Sequence, residues 1–365
     1  MTKPQTSTTR LEYLDWLRGL GAAIMLQGHV FDSFLRPDLR SGGPFIMSQF
    51  LGGMPPAIFL FLTGVTLGFL MHSSERSGLT PWERVGAAFR RSGYLFFLAF
   101  AFRLQMWVFG ISMHAPVTDL FKVDVLNCMG FSIALLAPMA WFRTAERVRW
   151  CAMLGLAIAF AAPLVSQLEL GALPWQLRAY LVPDFRFFGF FPWAAYLAFG
   201  MSAGSVIRLA PAEMAERAMQ WAAITGGGLI LASQYFAGLP WSVYSKSDYW
   251  LNSPALVLTK LGVTLIILAS GFLWTRYAQA GWSWVRQLGT TSLLVYWVHI
   301  ELVYGRWLNS WKNGLALTQT IVASGVLIVL MVGLSTLKTR RHRVKAFLAE
   351  CGWSFQPKPE RVPGD

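Results

Sequence analysis

The first apolar segment of the chain carries two acidic and two basic side chains on one predicted helix face. Arg18 and His29 are eleven positions apart. At about 100° per residue, this spacing brings both onto one stripe and separates them by roughly 16 Å along the helix axis. Asp15 lies one turn before Arg18, and Asp32 lies one turn after His29. Each acid is therefore expected to lie within pairing distance of its basic neighbour.

These residue types predict different roles for the two ends of this helix face. An imidazole can act near neutral pH, so we predict that His29 is catalytic, either as a general base or as a nucleophile. Asp32 would orient the ring and stabilise the imidazolium. Arg18, next to Asp15, would bind an anionic group. The structural alternative is that Asp15 and Arg18 only cap the helix start and that His29 only bonds to another helix.

A second histidine is predicted to lie at the same depth. His299 follows Tyr296 by three residues and precedes Glu301 by two, within a later apolar segment. Counting the helical rise from the start of that segment places His299 about 20 Å along it, a depth similar to that of His29. A shared polar cavity would bring these two histidines together. The structural alternative is an interhelical hydrogen bond without a catalytic role.

Three more polar residues are candidates for the same cavity. Arg103 lies in an apolar segment and is predicted to hold an anionic acceptor or to pair with Asp32 or Glu301. Asp124 and Asn127 lie near the start of the following segment. This start is predicted to lie on the outer side of the membrane, close to the half of the preceding span that contains Arg103. Ionisable side chains inside a membrane are costly, at about 2.5–3.5 kcal/mol each on insertion scales, so each needs a partner or a function.

The elements that must position these residues are membrane-spanning helices. The chain of 365 residues is 55% apolar and only 13% charged, with a mean hydropathy of +0.46, whereas soluble domains are about 25% charged. We predict an all-α, polytopic membrane helix bundle of about ten transmembrane helices. The predicted spans are 13–34, 45–71, 92–110, 120–141, 149–165, 187–206, 219–238, 255–275, 286–306 and 316–337.

The distribution of Lys and Arg predicts the orientation of the bundle. With both termini in the cytoplasm, the inner segments carry about twice as many basic residues as the outer ones, which include a loop 239–260. The resulting domains are a cytoplasmic segment 1–12, a transmembrane domain 13–337 and a basic cytoplasmic tail 338–365. The net charge of +13 is attributed to topology and contact with anionic membrane lipid, and no nucleic-acid partner is predicted. Cysteine spacing suggests neither a disulfide framework nor a metal site.

Several motifs resemble those of a known group of membrane enzymes. The stretch 13–20, followed by His29 at Arg-x10-His spacing, resembles the opening of the multi-span membrane acyltransferases. Two related families share it: the acyltransferase type 3 proteins and those similar to the catalytic domain of heparan-alpha-glucosaminide N-acetyltransferase. The block 56–65 resembles the second of these families. Further similar blocks follow in the same order at 124–130, 191–196 and 288–299. Because 36–53 contains no histidine, the resemblance assigns the catalytic role to His29.

The resemblance implies transfer of an acyl group, usually acetyl, from coenzyme A to a hydroxyl or amine of a glycan or lipid-linked acceptor. Acyl-CoA would be a co-substrate, with no permanently bound cofactor. Its phosphates would bind cations, for which the candidates are Arg18, Arg84, Arg90, Arg91 and the cluster Lys338, Arg340, Arg341, Arg343 and Lys345. The resemblance favours a bacterial inner membrane; the oligomeric state is not predicted. The alternative function is a transporter or exporter that passes substrate or protons without covalent chemistry.

Overall fold

The computed structural model describes residues 11–110, 114–168, 170–278 and 281–340. Within these ranges the regular secondary structure is helical, and the strand-like contacts are the isolated bridges Leu35–Leu315 and Asp184–Phe187. The all-α prediction is therefore confirmed for the described residues. The α-helices are α1 (Glu12–Phe34), α2 (Gly43–Gly52), α3 (Pro55–Arg76), α4 (Pro81–Gly110), α5 (Val125–Leu136), α6 (Thr144–Val165), α7 (Trp175–Leu181), α8 (Phe190–Leu209), α9 (Ala215–Ala237), α10 (Pro254–Leu273), α11 (Trp284–Thr290), α12 (Ser292–Tyr304) and α13 (Leu317–Thr339).

Among the residues that the structure describes, six helical stretches are long and apolar enough to cross a membrane. They are Gly43–Arg76, Pro81–Gly110, Thr144–Val165, Phe190–Leu209, Pro254–Ala278 and Leu317–Thr339, and two shorter apolar stretches are Val125–Trp141 and Ser292–Tyr304. Helices α1 and α9 also coincide with predicted spans and have 23 residues each, but they are more polar. The membrane helix bundle is thus confirmed, while the number of ten spans and the orientation of the termini remain predictions.

Helix α1 tolerates its polar residues because it lies among other helices. It packs against α2, α3, α10, α11, α12 and α13, and its apolar residues, such as Leu17, Leu26 and Val30, are fully buried. The closest packing is against α11. A Cβ added to Gly289 would lie 1.8 Å from the Asp15 carbonyl oxygen, and one added to Gly19 would lie 1.7 Å from the Val285 carbonyl oxygen. These glycines therefore allow direct backbone contact, as small residues do in membrane helix pairs.

The predicted span 286–306 is not one continuous helix. It breaks into α11 and α12 at Thr291, whose φ and ψ are −126° and 27°. Hydroxyl groups bond to the backbone next to the break: Thr290 and Ser335 both donate to the Gln287 carbonyl, at 2.7 and 2.9 Å. The Thr291 hydroxyl is in turn 2.6 Å from that of Ser335. A break of this kind is tolerated at membrane depth where neighbouring groups satisfy the backbone.

One basic residue is counted with a predicted outer loop although it also falls in a predicted span. Lys260 belongs to both the loop 239–260 and the span 255–275, and it lies inside α10, where its ammonium group is 5.4 Å from the centroid of the Trp193 ring. The predicted loop is too long because the helix already begins at Pro254, with Ser253 capping its first turn. In the predicted tail, Lys338 and Arg340 are described, whereas Arg341, Arg343 and Lys345 lie outside the described residues, as do residues 1–10 of the predicted N-terminal segment.

Candidate active site

A cavity of about 1030 Å³ runs between α1, α3, α4 and α12. Arg18 and His29 both line it, as the helical spacing predicts, and we refer to its two parts as the Arg18 end and the His29 end. The side chains between them on α1, α3 and α4 are mainly apolar, including Met25, Leu62 and Leu98. The face of α1 that carries Arg18 and His29 therefore forms one wall of the cavity, whereas Asp15 and Asp32 are not among the lining residues.

His29 and His299 form a direct contact between α1 and α12. The Nδ1 atom of His29 is 2.9 Å from Nε2 of His299, and the planes of the two rings differ by only 14°. His299 is fully buried behind His29, and its Nδ1 is 2.7 Å from the backbone carbonyl oxygen of Val295. The predicted meeting of the two histidines is present, with His29 facing the cavity and His299 supporting it.

This chain of contacts determines which nitrogen of neutral His29 carries the hydrogen. The Val295 carbonyl can only accept, so Nδ1 of His299 must donate to it, and Nε2 of His299 is then left with a lone pair. That lone pair accepts a hydrogen from Nδ1 of His29. The hydrogen-bond network thus assigns the lone pair of His29 to Nε2. His29 is thereby held in the tautomer that a general base or a nucleophile requires at Nε2.

Asp32 does not make the contact that was predicted for it. Its Oδ2 atom accepts a hydrogen bond of 2.9 Å from the hydroxyl of Tyr304, while the ring nitrogen Nδ1 of His29 faces His299. Tyr304 lines the cavity, and its ring centroid is 5.3 Å from that of His29 in an edge-to-face arrangement. The predicted direct orientation of His29 by Asp32 is therefore wrong, because the last turn of α12 places a phenol next to both residues.

We define the Arg18 end of the cavity by three lining cations, which lie near the start of α1, in the first half of α4 and at the end of α13. Arg18 is 2.8 Å from Asp15, as predicted, and Arg91 of α4 and Lys338 of α13 also line the cavity. Arg84, proposed from sequence for the same role, is instead buried about two turns before Arg91 on the same face of α4, with Nη1 3.9 Å from Glu75. Arg90 is not among the cavity residues, since one position along a helix turns a side chain by about 100°.

Arg103 pairs with a different acid from those predicted. Its Nε atom is 2.9 Å from Oδ2 of Asp124, and both residues line the cavity. The prediction that Arg103 pairs with Asp32 or Glu301 is wrong, because the start of α5 brings Asp124 closer. Asn127 is buried and stabilises that helix start: its Oδ1 accepts from the Asp124 backbone N–H (3.3 Å), and its Nδ2 donates to the hydroxyl of Tyr180 (3.1 Å).

Glu301 belongs to a contact between α4 and α12 rather than to the cavity wall. Its Oε1 atom accepts a hydrogen bond of 2.8 Å from Nε2 of Gln105. The Oε1 of Gln105 in turn accepts from the indole of Trp297, also at 2.8 Å. Nearby, the ring of Phe102 packs against Tyr296, with 5.5 Å between centroids. Glu301 therefore links α12 to α4 through Gln105 at this seam between the two helices.

The structure brings together only part of the predicted site at the cavity surface. The predicted residues that line the cavity are Arg18, His29, Arg91, Arg103, Asp124, Tyr296 and Lys338. Asp15, Asp32, Asn127, His299 and Glu301 contact the lining or the seams behind it. Sequence reasoning missed the lining residues Thr63, Thr66, Tyr94, His114 and Tyr304. For Tyr94, the one available signal was its position about one turn after Arg91 on α4.

Comparison with known proteins agrees with the resemblance found in the motifs. The family model for heparan-alpha-glucosaminide N-acetyltransferase, catalytic, matches residues 10–233, which is more than half of the chain. The matched region contains His29, Arg103 and Asp124, whereas α10 to α13 follow it. No curated protein matches the chain.

Proposed function

Since the chain belongs to the heparan-alpha-glucosaminide N-acetyltransferase catalytic family, we propose that it is an integral membrane acyltransferase that uses acetyl-CoA. The acetyl group would pass to a hydroxyl or amine of an acceptor such as a glycan or a lipid-linked sugar. The observation that carries this proposal is that one cavity joins a group of cations to an imidazole with an assigned lone pair.

The Arg18 end suits the phosphates of coenzyme A. Arg18, Arg91 and Lys338 all line the cavity, and guanidinium groups bind phosphate oxygens through charge-assisted hydrogen bonds. We place this end on the cytosolic side, in line with the predicted orientation of the termini, and the membrane would be a bacterial inner membrane. The basic residues at the end of α13 would then also contact anionic lipid.

The His29 end suits the chemical step. As a general base, Nε2 of His29 would take the proton of the acceptor while the acceptor oxygen or nitrogen attacks the thioester carbonyl carbon. The carbon–sulfur bond then breaks, and the imidazolium returns its proton to the departing thiolate of coenzyme A. Alternatively, Nε2 attacks the thioester itself and is acylated before the acceptor takes the group. The same tautomer serves both routes.

The test is acetyl transfer by the purified protein in detergent or liposomes. Release of free coenzyme A thiol from acetyl-CoA, with a panel of amino- and hydroxyl-bearing sugars, should be measurable for the wild type and abolished in His29→Ala. His72→Gln is a matched control, because His72 bonds to Thr144 (3.0 Å) and is not among the cavity residues. A protein that neither binds nor turns over acetyl-CoA, but moves a solute across proteoliposomes, would support the transporter alternative instead.

A further inference from the structure

The contact between Tyr304 and Asp32 lies beside His29 but has no part in the chemistry described above. The Tyr304 hydroxyl donates to Oδ2 of Asp32 at 2.9 Å. The planes of the Tyr304 and His29 rings are 68° apart, with 5.3 Å between their centroids. The phenol therefore touches the imidazole with its ring and the carboxylate with its hydroxyl.

Tyr304 is held in place by its neighbours on the chain. The preceding residue, Val303, accepts a hydrogen bond of 2.9 Å from the hydroxyl of Ser33, next to Asp32 on α1. The backbone carbonyl of Tyr304 itself accepts from Nζ of Lys312 at 2.8 Å. Adjacent residues of α1 and α12 are thus joined twice, so the ring of Tyr304 has a defined position against His29.

We infer that Tyr304 is a positioning residue for His29, and that Asp32 influences His29 mainly through the Tyr304 hydroxyl. This inference rests on the proposed function. His29 is then confined on two sides: His299 fixes its tautomer, and Tyr304 fixes the plane of its ring. Because the Tyr304 hydrogen is committed to a carboxylate, the phenol oxygen carries more negative charge. An imidazolium that forms against the ring of this phenol is stabilised.

A double-mutant cycle on acetyl transfer tests this inference. Tyr304→Phe keeps the ring and removes the hydroxyl, while Asp32→Asn keeps an oxygen and removes the charge. We expect each single variant to lower kcat by about tenfold, as coupled neighbours commonly do. The KM for acetyl-CoA should not change, because its binding cations lie at the Arg18 end. The double variant should lose no more than either single variant, since both changes break the same link.

A matched control is available on the same side of the molecule. Asp38 is an exposed carboxylate bound by Arg36 at 2.6 and 3.1 Å. The hydrogen bond from Arg36 holds the pKa of the Asp38 carboxyl below its usual value, so this residue carries a charge at neutral pH. Asp38→Asn removes an equivalent charge away from His29 and should leave kcat unchanged.

The outcomes separate this inference from the proposed function. If Asp32→Asn still lowers kcat tenfold in the Tyr304→Phe background, Asp32 acts on the site directly and the inference is overturned. It is also overturned if Tyr304→Phe keeps the wild-type kcat. The same holds if a single variant loses kcat only because the protein is partly unfolded, which a lowered thermal midpoint would show. A kcat in Asp32→Glu closer to the wild-type value than that of Asp32→Asn would support the inference. Unchanged activity in His29→Ala would instead overturn the proposed function.

Discussion

His29 on α1 and His299 on α12 are 270 positions apart in the chain, yet their facing ring nitrogens are separated by 2.9 Å. The backbone carbonyl of Val295 completes the arrangement, 2.7 Å from the other ring nitrogen of His299. The arrangement resembles a catalytic histidine whose second ring nitrogen donates to a carboxylate, except that the acceptor here is a neutral imidazole. It supplies orientation without placing a second charge at membrane depth, where charges are costly.

We expect His299→Phe to lower kcat by about 10²-fold, as loss of the group that orients a general base does. Phenylalanine offers no lone pair to Nδ1 of His29, so the tautomer with a lone pair at Nε2 is no longer favoured. His299→Gln offers a carbonyl oxygen and should retain more activity than the phenylalanine variant. The measurement is acetyl transfer at saturating acetyl-CoA. Equal activity of the phenylalanine variant and the wild type would contradict the supporting role.

Arg91→Gln should raise the KM for acetyl-CoA roughly tenfold, the effect of losing one hydrogen bond to a charged group. The side chain lines the cavity at the Arg18 end, so the change weakens phosphate binding and leaves the step at His29 intact. The matched control is Arg90→Gln, which removes the same charge from the neighbouring position outside the cavity. An equal rise of KM in both variants would show that only the net charge of α4 matters.

Gly289→Ala should destabilise the bundle by about 1–3 kcal/mol, the usual cost of overpacking a core. Its Cβ would lie 1.8 Å from the Asp15 carbonyl oxygen, and backbone atoms cannot move aside as a flexible side chain can. Thermal unfolding in detergent measures the effect. Gly325→Ala on α13 is the control, because a Cβ there meets nothing within 4 Å; it should be neutral or slightly stabilising, since alanine favours helices over glycine.

Gln105→Leu should loosen the seam between α4 and α12. The change removes the partner of both Glu301 and Trp297 and leaves a buried carboxylate without a donor, at a cost of about 1–3 kcal/mol. We expect a lower thermal midpoint in unfolding experiments. Gln234→Leu is a suitable comparison, because Gln234 makes an exposed contact of 3.5 Å with Tyr249. A similar loss in both variants would argue against a specific role of this seam.

Much of the fold was predictable from local patterns. Runs of apolar residues identify helices because a backbone in lipid must satisfy its own hydrogen bonds, and each predicted span falls on helical structure. The shared face of Arg18 and His29 was predictable for the same reason, since helical geometry relates positions on one element. The pair of Asp15 and Arg18 follows from a spacing of one turn. These relationships need no knowledge of any other part of the chain.

Relationships between helices were decided only by the tertiary structure. Asp32 bonds to Tyr304 rather than to His29, Arg103 pairs with Asp124, and Lys260 lies against Trp193 inside a helix. Each depends on how far one helix is rotated and shifted along another. Close packing at small residues such as Gly289 determines this rotation and shift. The periodicity of the sequence predicts neither of them. The sequence thus determined which residues share a face of α1. The packing of α1 against α11 and α12 determined which side chains those residues contact.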